Sequence, residues 1–101
     1  MGERRDMTWA SAWEAELNKE RAGALGNTAR KLETALEQCK ALRAQLAAAN
    51  DASLRELLLR DYRSARDESE KQRWNLCVQR EAMGLRHHAE VDLHYPIAPQ
   101  L

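Results

Sequence analysis

Apolar residues recur along this chain at spacings of three and four, the period of an α-helix packed on one side. Trp13, Leu17, Ala24, Leu25, Leu32, Leu36, Cys39, Leu42 and Leu46 fall within one broad stripe. Leu54, Leu58, Tyr62, Ala65, Ser69, Gln72, Leu76, Met83 and His87 form a second. Asn50-Asp51-Ala52-Ser53 separates the two, and no Pro occurs before Pro96. The pattern predicts an antiparallel helical hairpin: arm one over 8–49, a turn at 50–53, arm two over 53–95 and an extended tail over 96–101. Thr8 is the expected N-cap of the first arm. Ser53-Leu54-Arg55-Glu56 reads as a capping box opening the second.

Three places along this pattern bear on the architecture. Gly23 and Gly26 lie on the polar side of the first stripe, and each costs a continuous helix about 1 kcal/mol relative to Ala. Leu25-Gly26-Asn27 can end one helix, with Asn27 or Thr28 opening the next. The stripe nonetheless runs in phase through 23–27, so both a break and a continuous arm stay open. The second place is Arg66 to Arg73, which contains no apolar residue. With the turn near residue 51, position i faces roughly position 103 − i. The polar stretch then faces Leu32 and Leu36, which need cover from elsewhere, most simply from a second subunit. Beyond residue 73, Trp74, Leu76, Cys77, Val78, Met83, Leu85, Val91, Leu93 and Tyr95 occupy several faces, as in a helix surrounded by neighbours.

At 101 residues the chain is one domain, and Phe is absent. Two arms of about 42 residues would each be about 63 Å long, and a lone two-helix rod has little interior. The expectation is an all-α homodimer, two hairpins forming a four-helix bundle. Sixteen basic and 16 acidic residues cancel. That argues against nucleic acid, which requires a basic face, and interleaved charges argue against a membrane surface. Apolar runs are too short to span a bilayer, and the first residues lack the apolar core of a signal peptide. The expected location is the cytoplasm. Cys39 would face about Ser64, roughly 20 Å along the axis from Cys77, so a simple hairpin excludes a disulfide between them.

Candidate chemistry is sparse. Residues 79–86 face roughly 17–24, which gathers Arg21, Gln79, Arg80, Glu81 and Arg86 into a possible cleft for a carboxylate or phosphate. The same charges serve equally as interhelical ion pairs that fix register. His87, Glu90 and His94 are spaced as on one helical face and are the candidate metal ligands. A histidine near a helix C-terminus also simply complements the macrodipole. Arg55, Arg66, Arg73 and Arg80 line one edge of the second arm, positioned to pair with Glu33 and Glu37 or to meet an acidic partner. No catalytic residue is identified: Cys77 has no histidine one turn away, and no glycine-rich phosphate loop follows a strand. No cofactor is expected. The expected interaction surface is the aromatic end, with Trp9, Trp13, Trp74 and Tyr95.

Several segments are also familiar together. Trp13-Glu14-Ala15-Glu16-Leu17 through Arg21-Ala22-Gly23-Ala24-Leu25-Gly26, then Arg30 to Leu36, form one block. Cys77-Val78-Gln79-Arg80-Glu81-Ala82-Met83-Gly84-Leu85-Arg86-His87, followed by Tyr95-Pro96-Ile97, form another. They resemble an uncharacterised family of small bacterial all-helical proteins, a domain of unknown function. The resemblance covers about half the chain. It implies a helical fold and carries no activity. The leading expectation is a small interaction or scaffold protein, with a module sensing an anionic ligand as the alternative.

Overall fold

The computed structural model describes the backbone of residues 2–101 and the side chains of residue 12 and residues 14–101. Two long helices, α1 (Gly2–Ala48) and α2 (Ala52–Ala82), pack against each other as a hairpin. A short helix, α3 (Ala89–His94), and an extended tail follow. The molecule measures 76 × 20 × 15 Å. The longest dimension is set by α1, whose 47 residues at 1.5 Å each give about 70 Å.

No break occurs at Gly23–Asn27, and α1 runs through it. A Cβ on Gly23 would meet nothing within 4 Å, so this glycine serves neither a turn nor a close approach. Nearby, the Thr28 hydroxyl is absorbed by the Ala24 carbonyl of the preceding turn, at 3.1 Å. The N-cap of α2 is Asp51 rather than Ser53. The Asp51 carboxylate accepts from the Leu54 amide at 2.9 Å, and α2 begins at Ala52. A carboxylate binds an orphan helical N–H more strongly than a neutral hydroxyl does, and it takes the position. Across the turn, Arg55 donates to the Leu46 carbonyl at 2.5 Å and the Ala49 carbonyl at 3.2 Å, serving the exposed C-terminal end of α1.

The second arm stops much earlier than the pattern predicts, at Ala82 instead of Tyr95. Gly84 takes a φ of +86°, the left-handed region that favours glycine. The Leu85 amide reaches the Arg80 carbonyl at 2.9 Å, and the Gly84 amide reaches the Glu81 carbonyl at 2.9 Å. These two bonds are the paired closure of a Schellman cap, which satisfies the last carbonyls and turns the chain out of the helix. Residues 85–101 then run back along the hairpin toward the 49–51 turn.

That return segment completes the core. One cluster holds Leu32, Leu76 and Val91, with Leu25, Ala29, Leu36, Cys77 and Tyr95 packed against it. A second holds Cys39, Leu46, Leu58, Tyr62, Ala65 and Ala98. Leu32 is fully buried. Its cover comes from Leu76 and from Val91 of the chain's own α3, not from a second copy as the polar middle of α2 suggested. Polar residues on the α2 seam find partners within the helix. Ser69 donates to the Arg66 carbonyl at 2.7 Å, and Gln72 donates to Glu68 at 2.8 Å.

Candidate functional site

Where α1, α2 and α3 meet, a cleft of about 280 Å³ opens between Ala22, Leu25, Gly26 and Ala29 on one side and Leu76 and Arg80 on the other. Glu90, Val91, His94 and Tyr95 close it. The α1–α2 register brings Arg80 here, and the reversal at Gly84 brings Glu90 and His94 back over it. The polar groups at the mouth are thus one cation, one carboxylate and one imidazole.

Arg80 is already engaged. Its Nη2 donates to the His87 carbonyl at 3.0 Å, bracing the loop that leads into α3. Its Nε is buried without a hydrogen-bond partner among the described residues, as are Gln79 Oε1 and His88 Nδ1. Beside it, His88 Nε2 lies 3.0 Å from Glu81 Oε1. Of the five residues expected to form an anion cleft, only Arg80 lines this one. Arg21, Glu81 and Arg86 are exposed, and Gln79 is half-buried. The expected metal ligands are divided in a similar way. Glu90 and His94 share a face of α3, but His87 lies in the loop before that helix, out of phase with them. Among the described residues, no group of three or more His, Cys, Asp or Glu side chains is placed to hold a metal ion.

Of the expected aromatic surface, Trp74 and Tyr95 are described and differ in exposure. Trp74 is 68% exposed, two residues from both buried Gln72 and buried Leu76, and so on roughly the opposite face of α2. Val78, one turn on, is exposed beside it. Tyr95 instead packs half-buried against the Leu32–Leu76–Val91 cluster. The side chains of Trp9 and Trp13 lie outside the described residues.

Pairing with Glu33 and Glu37 is not what the arginine edge does. Arg66 Nε donates to the Ala98 carbonyl at 3.1 Å. Arg73 donates to the Tyr95 carbonyl and, at 3.2 Å, to Asp92. Arg80 takes the His87 carbonyl, and Tyr62 donates its hydroxyl to the Pro99 carbonyl at 2.5 Å. One edge of α2 is therefore a row of side chains donating to backbone carbonyls of the return segment. Only Val91 and Ala98 of that segment are buried, whereas Leu93, Ile97 and Leu101 are exposed. Recognition is carried by main chain, by buried Val91 and Ala98 and by half-buried Tyr95. The signal in the sequence was the seven-residue spacing of Arg66, Arg73 and Arg80, which places them on one helical edge.

Both cysteines are free. Cys39 is 2% exposed beneath the tail, and burial pushes its thiol above the ordinary 9.0, with Arg43 and Arg66 pulling the other way. Burial likewise pushes Tyr62 above 10.0, with Cys39 adding to the rise. Such a thiol is a packing group rather than a nucleophile at neutral pH. Among the described residues, no helix is long and apolar enough to cross a membrane. In comparisons with known proteins, no family model, no curated protein and no solved structure matches this chain.

Proposed function

We propose that this chain is a small cytoplasmic protein-interaction or scaffold protein that acts as a helical homodimer. The observation that carries this reading is the unequal length of the two arms, 47 residues in α1 against 31 in α2. Ala35 and Glu68 line one groove, so positions summing to about 103 face each other. The end of α2 at Ala82 then lies opposite roughly residue 21. Residue 12 and residues 14–24 are exposed except for half-buried Leu17. A helical stretch with no neighbour is marginal in water, since tertiary packing supplies most helix stability. A protein partner would supply that packing, and a second copy is always at hand. Exposed Trp74 adds a large amphipathic side chain of the kind that anchors interfaces. Two free cysteines suit a reducing compartment.

The test is absolute molar mass by light scattering from micromolar to submillimolar concentration. A concentration-stable species of twice 11.6 kDa supports the homodimer. A monomer of 11.6 kDa throughout refutes it. The anion-sensing alternative has less support, because among the described residues the cleft is lined by one guanidinium, already bonded to a carbonyl, and by the carboxylate of Glu90.

A further inference from the structure

We propose that two copies of this chain exchange their C-terminal segments, with residues 85–101 of each lying in the hairpin groove of the other. This deepens the homodimer reading and rests on it. The groove is shown to fit this segment: Val91 enters the Leu32–Leu76 cluster and Ala98 enters the Cys39–Tyr62 cluster. Tyr62, Arg66 and Arg73 donate to the Pro99, Ala98 and Tyr95 carbonyls. A second copy carries the identical segment and reproduces every one of these contacts.

The hinge is where the two arrangements differ. Folding back within one chain requires the left-handed Gly84 and the sharp path of residues 84–88. All three buried polar side-chain atoms without a partner among the described residues lie here or on the turn of α2 just before it: Gln79 Oε1, Arg80 Nε and His88 Nδ1. A buried donor or acceptor left unmade is costly, whereas one returned to water is not. Opening the hinge re-exposes these atoms, and docking in the partner keeps the groove contacts. Exchange therefore keeps the groove contacts and returns these three atoms to water, while the groups of the Schellman closure and of the Arg80–His87 bond exchange their partners for water. This is the condition under which a swapped dimer forms cheaply.

The test is a disulfide trap in the full chain. Ala98→Cys places a thiol in the cluster that holds native Cys39, and Cys77→Ser removes the other thiol. Mild oxidation is carried out where light scattering reads a dimer, followed by a non-reducing denaturing gel and digestion to locate the bridge. Exchange predicts a covalent species of twice 11.6 kDa bridged 39–98, absent from Cys77→Ser alone. A dimer in solution with the 39–98 bridge only within single chains overturns the exchange and leaves the homodimer standing. A monomer at every concentration overturns both. Should the thiols fail to join, mixing decides. Ala98→Asp disables the segment, and Tyr62→Ala with Arg66→Ala disables the groove. Exchange predicts that each variant alone is monomeric while their equimolar mixture, with one intact site per pair, recovers dimer. Variants that keep their dimers, or a mixture that stays monomeric, overturn the proposal.

Discussion

At the scale of single residues, burial and hydrogen bonding decide which side chains matter. Leu32 is fully buried at the meeting of α1, α2 and α3. Leu32→Ala is expected to cost about 2–5 kcal/mol, the range for truncating a buried leucine, read as a fall in urea midpoint. Tyr62→Phe keeps the ring in the core but loses the bond to the Pro99 carbonyl, which then has water as an alternative. The expected cost is about 1 kcal/mol. Alkaline pH should act through the same place. Cys39 and Tyr62 both have folded pKa values above their ordinary 9.0 and 10.0, so the unfolded chain loses these protons first. Their contribution to stability is complete below about pH 9 and falls as pH rises through the shifted values. Thermal melts from pH 8 to 11 should show that fall. Cys39→Ala should remove its first part, and an unchanged slope in that variant would contradict the assignment.

At the scale of elements, the ends of the helices are where local chemistry chose among alternatives. Asp51→Ala should lower stability by about 1 kcal/mol, because the Leu54 amide loses its acceptor. Ser53→Ala should stay within about 0.5 kcal/mol, since Asp51 holds the cap. Two glycines should respond in opposite directions. Gly23 sits inside a continuous helix with open space around it, so Gly23→Ala should stabilise by about 1 kcal/mol. Gly84 is left-handed, so Gly84→Ala should destabilise by about 1–2 kcal/mol. Chemical denaturation of the four variants checks all of these. The hairpin, its turn and its register were legible because they rest on apolar periodicity and a breaker cluster. Where α2 ends was not legible, because Leu85, Val91 and Leu93 continue an apolar pattern and one glycine is only a weak stop. The docking of 85–101 left even less trace, since its bonds go from side chains to backbone carbonyls, which every sequence has. For the same reason the anion and metal groupings, drawn on a straight second arm, came apart once Gly84 reversed the chain.

At the scale of the whole molecule, the chain is a rod with unequal support along its length. From about residue 25 to the turn, α1 is covered by α2 and by the return segment, and buried positions recur at Thr28, Leu32, Ala35, Cys39 and Leu46. Before that, exposed residues dominate. Local opening is governed by how much tertiary contact a segment must lose, so the two halves of α1 should differ sharply in protection. Lys19 and Arg21 lie in the unsupported half, and Arg43, Arg66 and Arg73 in the supported one. Of these five sites, dilute protein under limited trypsin should be cut first after Lys19 or Arg21, with Arg43, Arg66 and Arg73 surviving until the hairpin unfolds. The dependence on protein concentration then separates two kinds of rod. If a second copy packs along residues 12–24, cleavage there should slow as the chain is concentrated through its dimerisation range, in step with the mass read by light scattering. If copies join only by exchanging C-terminal segments, mass should double while Lys19 and Arg21 stay equally open to the protease. Mass spectrometry of the first fragments, taken at two concentrations on either side of the transition, distinguishes these outcomes.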